Sequence, residues 1–386
     1  MKRRFFLIVL DGCGVGEAPD ASEYSISDVG SNTLGNTARV VGGLKMPCLQ
    51  RLGLGNITEL QGVPPSPEAP SIWGRLQEVS KGKDTITGHW EMMEVVTEIP
   101  FPTYPHGFPP DIVAEFEAII GTKTLGNYAA SGTEIIATLG EEHIRTGFPI
   151  IYTSADSVFQ VAAHEDNALF GRQRLWDACA AMRDKLMPPN HIGRVIARPF
   201  VGNAPENFKR TENRRDYPLV PAMATTIDLL HNQGKRTLAI GKISEIFSGR
   251  NIDASDPTTN NPDHCASLAR ALRGEGIGGD ADFIFANLED FDMLYGHRND
   301  PVNFARLLEE FDDFLGTQFL PYLRPGDLVG ITADHGNDPT TPSTDHSREY
   351  APLLLFGPSI TVPQPMGDRV SFAWWGEKVR HWLTKN

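Results

Sequence analysis

Residues 328–338 read Leu328-Val329-Gly330-Ile331-Thr332-Ala333-Asp334-His335-Gly336-Asn337-Asp338, and Thr344-Asp345-His346 follows after a short polar stretch. The run 328–332, closed by a polar turn, predicts a strand buried in a parallel sheet. Asp334 and His335 then stand just beyond its carboxyl end, where ligand sites gather in open α/β sheets. The same arrangement recurs twice. Residues 5–10 run into Asp11, after which Gly12, Gly14 and Gly16 let the backbone turn tightly. A strand over 282–287 leads to Asp292 and His297. Further short β-rich runs lie at 149–153, 193–197, 237–241 and 352–356. They alternate with amphipathic stretches at 111–120, 223–231, 264–272, 302–314 and 377–383. In the fourth of these and the residue after it, Phe304, Leu307, Leu308, Phe311 and Leu315 recur three and four apart. The architecture predicted is α/β, with a mostly parallel sheet flanked by helices.

A chain of 386 residues is long enough for two domains. Two proline-rich segments mark the borders: 97–110 holds five prolines (Pro100, Pro102, Pro105, Pro109, Pro110), and 217–221 holds Pro218 and Pro221. So many prolines exclude a helix or central strand. Lys plus Arg is 35 and Asp plus Glu is 49, a net charge of −14. That balance argues against coating nucleic acid or an anionic membrane, and an anionic substrate must be met by local cations. One basic stretch stands out, with Arg194, Arg198, Lys209, Arg210, Arg214 and Arg215 against Glu206 and Glu212. By composition alone it reads equally well as a solvated surface. Cys13, Cys48, Cys179 and Cys265 form no C-x-x-C and read as reduced thiols. The apolar run at 5–10 is too short for a signal peptide, and no run reaches membrane-spanning length. A soluble cytoplasmic protein without an obligate protein partner is expected.

Asp11, Asp292 and Asp334 with His297, His335 and His346 make three carboxylates and three imidazoles. Singly, an Asp after a strand is usually a helix cap and a lone His is structural. Together the six suit two divalent ions with mixed oxygen and nitrogen ligands, Mn²⁺ or Zn²⁺ rather than Ca²⁺. Without cations the carboxylates would raise one another's pKa values. The segment Gly82-Lys83-Asp84-Thr85-Ile86-Thr87-Gly88-His89 offers two hydroxyls to such a pair, although it reads as well as a turn and helix cap. Asp11 is not an aspartyl nucleophile of the haloacid-dehalogenase kind, which needs a second Asp where Cys13 stands. Cys13 has no partner His to activate it.

The segments 10–20, 82–91, 152–160, 193–202, 291–300 and 331–349 resemble those of the bacterial-type phosphopentomutases, members of the alkaline phosphatase superfamily. The pairing of D-T-x-T-G-H-W-E at 84–91 with A-D-H-G-N-D at 333–338 is specific, and the resemblance covers nearly the whole chain. It implies an alkaline-phosphatase-like core (1–100 and 218–386) with a smaller α/β cap domain inserted at 101–217. It also implies two Mn²⁺, one on Asp11, Asp334 and His335 and the other on Asp292, His297 and His346. Thr85 matches the phosphorylated threonine. Ser154 and Asp156 match a position contacting the sugar phosphate, and Arg194, Arg210 and Lys242 match residues recognising the phosphate remote from the metals. The implied reaction interconverts (deoxy)ribose 1-phosphate and (deoxy)ribose 5-phosphate through a bisphosphate, primed by a sugar bisphosphate such as glucose 1,6-bisphosphate. The alternatives are a metal-dependent phosphatase or phosphodiesterase, or a phosphoglycerate-mutase-like enzyme of the same superfamily.

Overall fold

The structure, a computed structural model, describes residues 2–154, 157–186 and 191–385. The chain divides into two compact units: unit 1 is Met1–Ile99 with Pro221–Asn386, and unit 2 is Pro100–Val220. Along the chain the strands are β1 (Arg4–Leu10), β2 (Ser71–Gln77), β3 (Leu125–Ala129), β4 (Ile150–Thr153), β5 (Val158–His164), β6 (Arg194–Val201), β7 (Lys209–Arg210) and β8 (Arg215–Pro218). They continue with β9 (Thr237–Ile240), β10 (Ala254–Asp256), β11 (Phe283–Leu288), β12 (Asp327–Thr332), β13 (Ala351–Phe356) and β14 (Gln364–Val370).

Unit 1 carries one sheet in the order β10-β9-β11-β1-β12-β13-β2-β14. From β10 to β12 every neighbouring pair is parallel. β13 runs antiparallel to both β12 and β2, while β14 returns parallel to β2. The sheet is therefore mostly parallel. Its central strands are covered on both faces, and every residue of β1, β11 and β12 is buried, as a parallel sheet between helices requires. Arg4 is admitted to this core because Asp327 takes its guanidinium through two 2.8 Å bonds. Register then sets the site. Leu10 pairs with Leu288 and Val9 with Thr332, so Asp11, Glu289 and Asp334 leave the sheet at nearly one level.

The helix Thr85–Met92 begins where Asp84 accepts from the backbone N–H of Ile86 and Thr87, and Thr87 returns the bond. The amphipathic stretch expected to start at 223 becomes helical only at Thr226 (Thr226–His231), because Thr225 and Asp228 close a capping box there. Met223 stays exposed outside it.

Unit 2 has a mixed sheet in the order β3-β4-β5-β6-β7, with β8 also paired to β6. The helices Pro110–Ile120 and Arg172–Lys185 share a core with Phe159, Val161 and Val195. The helix Gly132–Thr146 packs with Ile150, Tyr152 and Phe200 in a second core. Among the described residues, no helix is long and apolar enough to cross a membrane.

Candidate metal centre and nucleophile

Six side chains expected as ligands lie together beyond the carboxyl ends of β1, β11 and β12. Asp11, Asp334 and His335 present ligand atoms within 4.8 Å of one another, and so do Asp292, His335 and His346. His335 belongs to both groups. Its Nε2 lies 3.4 Å from Asp11 Oδ1 and 3.4 Å from Asp334 Oδ2, and its ring stacks on His346 at 3.9 Å. Asp292 sits on a π-helical turn, Phe291–Tyr295, directly after β11. His297 Nε2 approaches its Oδ2 at 3.2 Å and His346 Nε2 its Oδ1 at 3.4 Å.

The hydrogen bonds behind these groups set their tautomers. His297 Nδ1 is 2.7 Å from the carbonyl of Thr344, and His335 Nδ1 is 3.1 Å from that of Gly336. A carbonyl only accepts, so each Nδ1 carries a proton, which leaves Nε2 as the ring atom that faces the carboxylates and that a ligating histidine would offer to a cation. Asn287 Nδ2 donates to Asp11 Oδ2 at 2.7 Å and Asn337 Nδ2 to Asp292 Oδ1 at 2.6 Å. Asp334 Oδ1 accepts from the Gly12 N–H at 3.1 Å. Asp11 Oδ1 and Asp334 Oδ2 are buried with no hydrogen bond.

Charge tells the same story. Burial pushes the Asp11 carboxyl well above its ordinary range, and Asp334 and Asp292 push it further. Asp334 is held down at about 2: burial opposes its ionisation, but His335 and His89 outweigh it. His346 and His297 likewise hold Asp292 low against burial. Burial also takes His335 down to about 4, which leaves it neutral at physiological pH. Three carboxylates at one point, one of them forced toward protonation by burial and then by the other two, are what divalent cations would relieve. The donor set fits such ions.

Thr85 occupies the first position of its helix, and its Oγ1 lies 3.2 Å from Nε2 of His335, the residue shared by both ligand groups. His89, one turn on, bonds through Nδ1 to the Thr85 carbonyl at 2.8 Å and lies 3.2 Å from Asp334 Oδ2. Lys83 is held by Asp28 at 3.2 Å and Asp345 at 3.3 Å.

The other expected residues divide between the units. Lys242 follows β9 in unit 1, 3.4 Å from Glu289. Burial opposes its charge, but Asp11, Glu289 and Asp292 raise its pKa, so it stands in the field of the ligand carboxylates. Ser154, Arg194 and Arg210 belong to unit 2. Ser154 follows β4, at the end of the sheet where Val158 pairs with Arg194. Arg194 is 3.9 Å from Asp216. Arg210 pairs in backbone with Phe200, and its guanidinium reaches back toward Gly132. Asp156 lies outside the described residues.

Sequence reasoning missed His89, Asn287, Asn337 and Glu289 as members of the site. His89 carried a signal, since it follows Thr85 by four residues and shares its helix face. Asn287 had one too, as an amide inside an otherwise apolar buried strand.

The Metalloenzyme superfamily model matches residues 3–384. The chain is 52% identical over 372 residues to the phosphopentomutase of Symbiobacterium thermophilum, covering 96% of this chain and 92% of that one. It is 50% identical over 371 residues to that of Carboxydothermus hydrogenoformans (96% and 93%) and 49% identical over 381 residues to that of Acetivibrio thermocellus (99% and 96%). In structure it is similar to a protein of Pyrococcus horikoshii, with a TM-score of 0.51 and 15% identity, covering 100% of this chain and 98% of that chain, which shows a common fold. With half of its residues shared across nearly the full length of these relatives, the chain belongs to the phosphopentomutases, isomerases of the Metalloenzyme superfamily that act on a small sugar phosphate.

Proposed function

We propose that the enzyme interconverts (deoxy)ribose 1-phosphate and (deoxy)ribose 5-phosphate by way of a phosphorylated Thr85 and a pentose bisphosphate. The observation that carries this is the 3.2 Å approach of Thr85 Oγ1 to His335 Nε2, where the two ligand groups meet. In this reading Asp11, Asp334 and His335 hold one Mn²⁺, and Asp292, His297 and His346 hold the other. Bound divalent cations supply charge that favours ionised hydroxyls and neutralises phosphoryl oxygens.

A sugar bisphosphate such as glucose 1,6-bisphosphate loads the threonine: one of its P–O bonds breaks, the phosphorus bonds to Thr85 Oγ1, and the sugar monophosphate leaves with the hydroxyl proton. The free hydroxyl of a pentose monophosphate then attacks the phosphorus. The bond from phosphorus to Thr85 Oγ1 breaks, a bond to the sugar oxygen forms, and the hydroxyl proton passes to Oγ1. The bisphosphate next presents its other phosphate. That P–O bond breaks, the phosphothreonine is rebuilt, and the proton returns to the sugar oxygen freed. Nothing is consumed. Helix Thr85–Met92 points its amino end at the transferring phosphate, which suits negative charge. Lys242 adds a cation in the field of Asp11 and Asp292. Unit 2 acts as the cap: Ser154, Asp156, Arg194 and Arg210 recognise the sugar phosphate, guanidinium forks suiting its oxygens.

Retention of the bisphosphate distinguishes this reaction from hydrolysis. Ribose 1-phosphate, Mn²⁺ and glucose 1,6-bisphosphate are incubated with the enzyme, and ribose 5-phosphate is measured against inorganic phosphate. The proposal requires ribose 5-phosphate in large excess. Stoichiometric phosphate release would make the enzyme a phosphatase.

A further inference from the structure

Arg348 lies two residues beyond His346, outside any helix or strand, and is only 1% exposed. Its Nη1 donates to Glu78 Oε2 (2.5 Å) and to the carbonyls of Ser80 (3.0 Å) and Gly82 (2.6 Å). Nη2 donates to the Glu78 carbonyl (2.5 Å) and Asp20 Oδ2 (3.0 Å), and Nε to Asp20 Oδ1 (3.3 Å). Tyr24 stacks against the guanidinium at 4.5 Å. Glu78 and Asp20 alone would neutralise the charge. The three carbonyl bonds do something else: they grip alternate residues of the segment leading from β2 to Asp84 and Thr85. The backbone N–H of Arg348 bonds Asp28 Oδ2 at 3.1 Å, and Asp28 in turn holds Lys83.

We propose that Arg348 is a positioning residue for Thr85. It ties the segment before the nucleophile to the segment carrying His346, and so fixes the distance between hydroxyl and ligands. This rests on Thr85 being the phosphate carrier. A planar guanidinium fork with five donors spans these partners, whereas a lysine has three donors radiating from one nitrogen. A shift of about 1 Å in such a group lowers a rate by as much as ~10²-fold.

Arg4 provides a matched control. It is equally buried, with two bonds to Asp327 and two to the carbonyls of Ala271 and Leu272, but it lies at the amino end of β1. Arg348→Lys and Arg4→Lys are compared with the wild type. The readouts are melting temperature, Mn²⁺ affinity by calorimetry, KM, and the single-turnover rate of Thr85 phosphorylation by glucose 1,6-bisphosphate. Both variants should melt earlier, and only Arg348→Lys should slow phosphorylation, by ~10-fold or more, with KM and Mn²⁺ affinity within about 2-fold. Equal slowing in both variants, or slowing explained by KM or Mn²⁺ affinity, overturns the proposal. If Arg348→Lys does not fold, Asp20→Asn replaces it and should slow phosphorylation by about 3-fold with KM unchanged; no slowing overturns the proposal. A wild type that never carries phosphate on Thr85 overturns the reading beneath it, and that is seen before any variant is made.

Discussion

One nitrogen, His335 Nε2, lies within 3.4 Å of Thr85 Oγ1, Asp11 Oδ1 and Asp334 Oδ2. Six candidate ligands could be named beforehand because Asp, His and their distance from strand ends are visible in a sequence. Asn337 could not, because its role comes from a pairing with Asp292 made only in the fold. Asp334→Asn should lower Mn²⁺ affinity at least ~10-fold, as the loss of even a supporting group does, and calorimetric titration checks it. Unchanged affinity would remove Asp334 from the ligand set. Glu349 gives a pH test at a carboxyl outside the candidate ligand set. Burial, and then Asp338, push its carboxyl from 4.5 up to about 7. Between those values the native state holds a proton that the unfolded state has released, so stability falls as pH rises through the window. The fall is of order 3 kcal/mol for this group. Glu349→Gln should flatten it, as read by urea unfolding at pH 5 and pH 8; an equally steep fall in the variant would place its cause elsewhere.

At the level of elements, legibility followed solvent exposure. The helix Pro301–Phe314 was plain because one face is wet and the other buried. The helix Thr85–Met92 is buried from Thr87 to Met92 with Thr87, His89 and Glu91 inside, so its sequence shows no amphipathic pattern and read as a turn and helix cap. Edge strand β14, Gln364–Val370, is almost wholly exposed and contains Pro365 and Gly367, so it offered no apolar pattern. β13 was foreseen, but its antiparallel direction was not, since direction depends on pairing. Helix and ligand loop meet at Gly88, where a Cβ would lie 2.2 Å from the Asp334 carbonyl oxygen, a backbone atom that cannot step aside. Gly88→Ala should destabilise by about 1–3 kcal/mol and lower kcat more than it raises KM, because it parts Thr85 from Asp334. Normal kcat in a folded Gly88→Ala protein would show that this approach does not govern the chemistry.

The whole molecule sets a net charge of −14 against an anionic substrate. Prolines open both crossings between the units, Pro100 and Pro221, which is why the borders could be sought in composition. The basic stretch was visible as charge, but its use was not. In the fold Arg214 is spent on Asp216 at 2.6 Å, whereas Arg210 is exposed and reaches toward the start of the helix Gly132–Thr146. If unit 2 reads the second phosphate, Arg210→Ala should lower the ratio of ribose 5-phosphate formed to inorganic phosphate released, by ~10-fold for one charge-assisted contact. An unchanged ratio with both activities intact would make the basic stretch a solvated surface.

In the proposed reaction Thr85 carries the phosphate between the two halves. The most direct test is mass spectrometry of the enzyme after incubation with Mn²⁺ and glucose 1,6-bisphosphate. One phosphate should appear on Thr85, vanish when ribose 1-phosphate is added in excess, and be absent from Thr85→Ala, which should bind Mn²⁺ yet have no mutase turnover. Phosphate found on Thr87 or Ser154, or mutase turnover in Thr85→Ala, would mean that Thr85 is not the phosphate carrier.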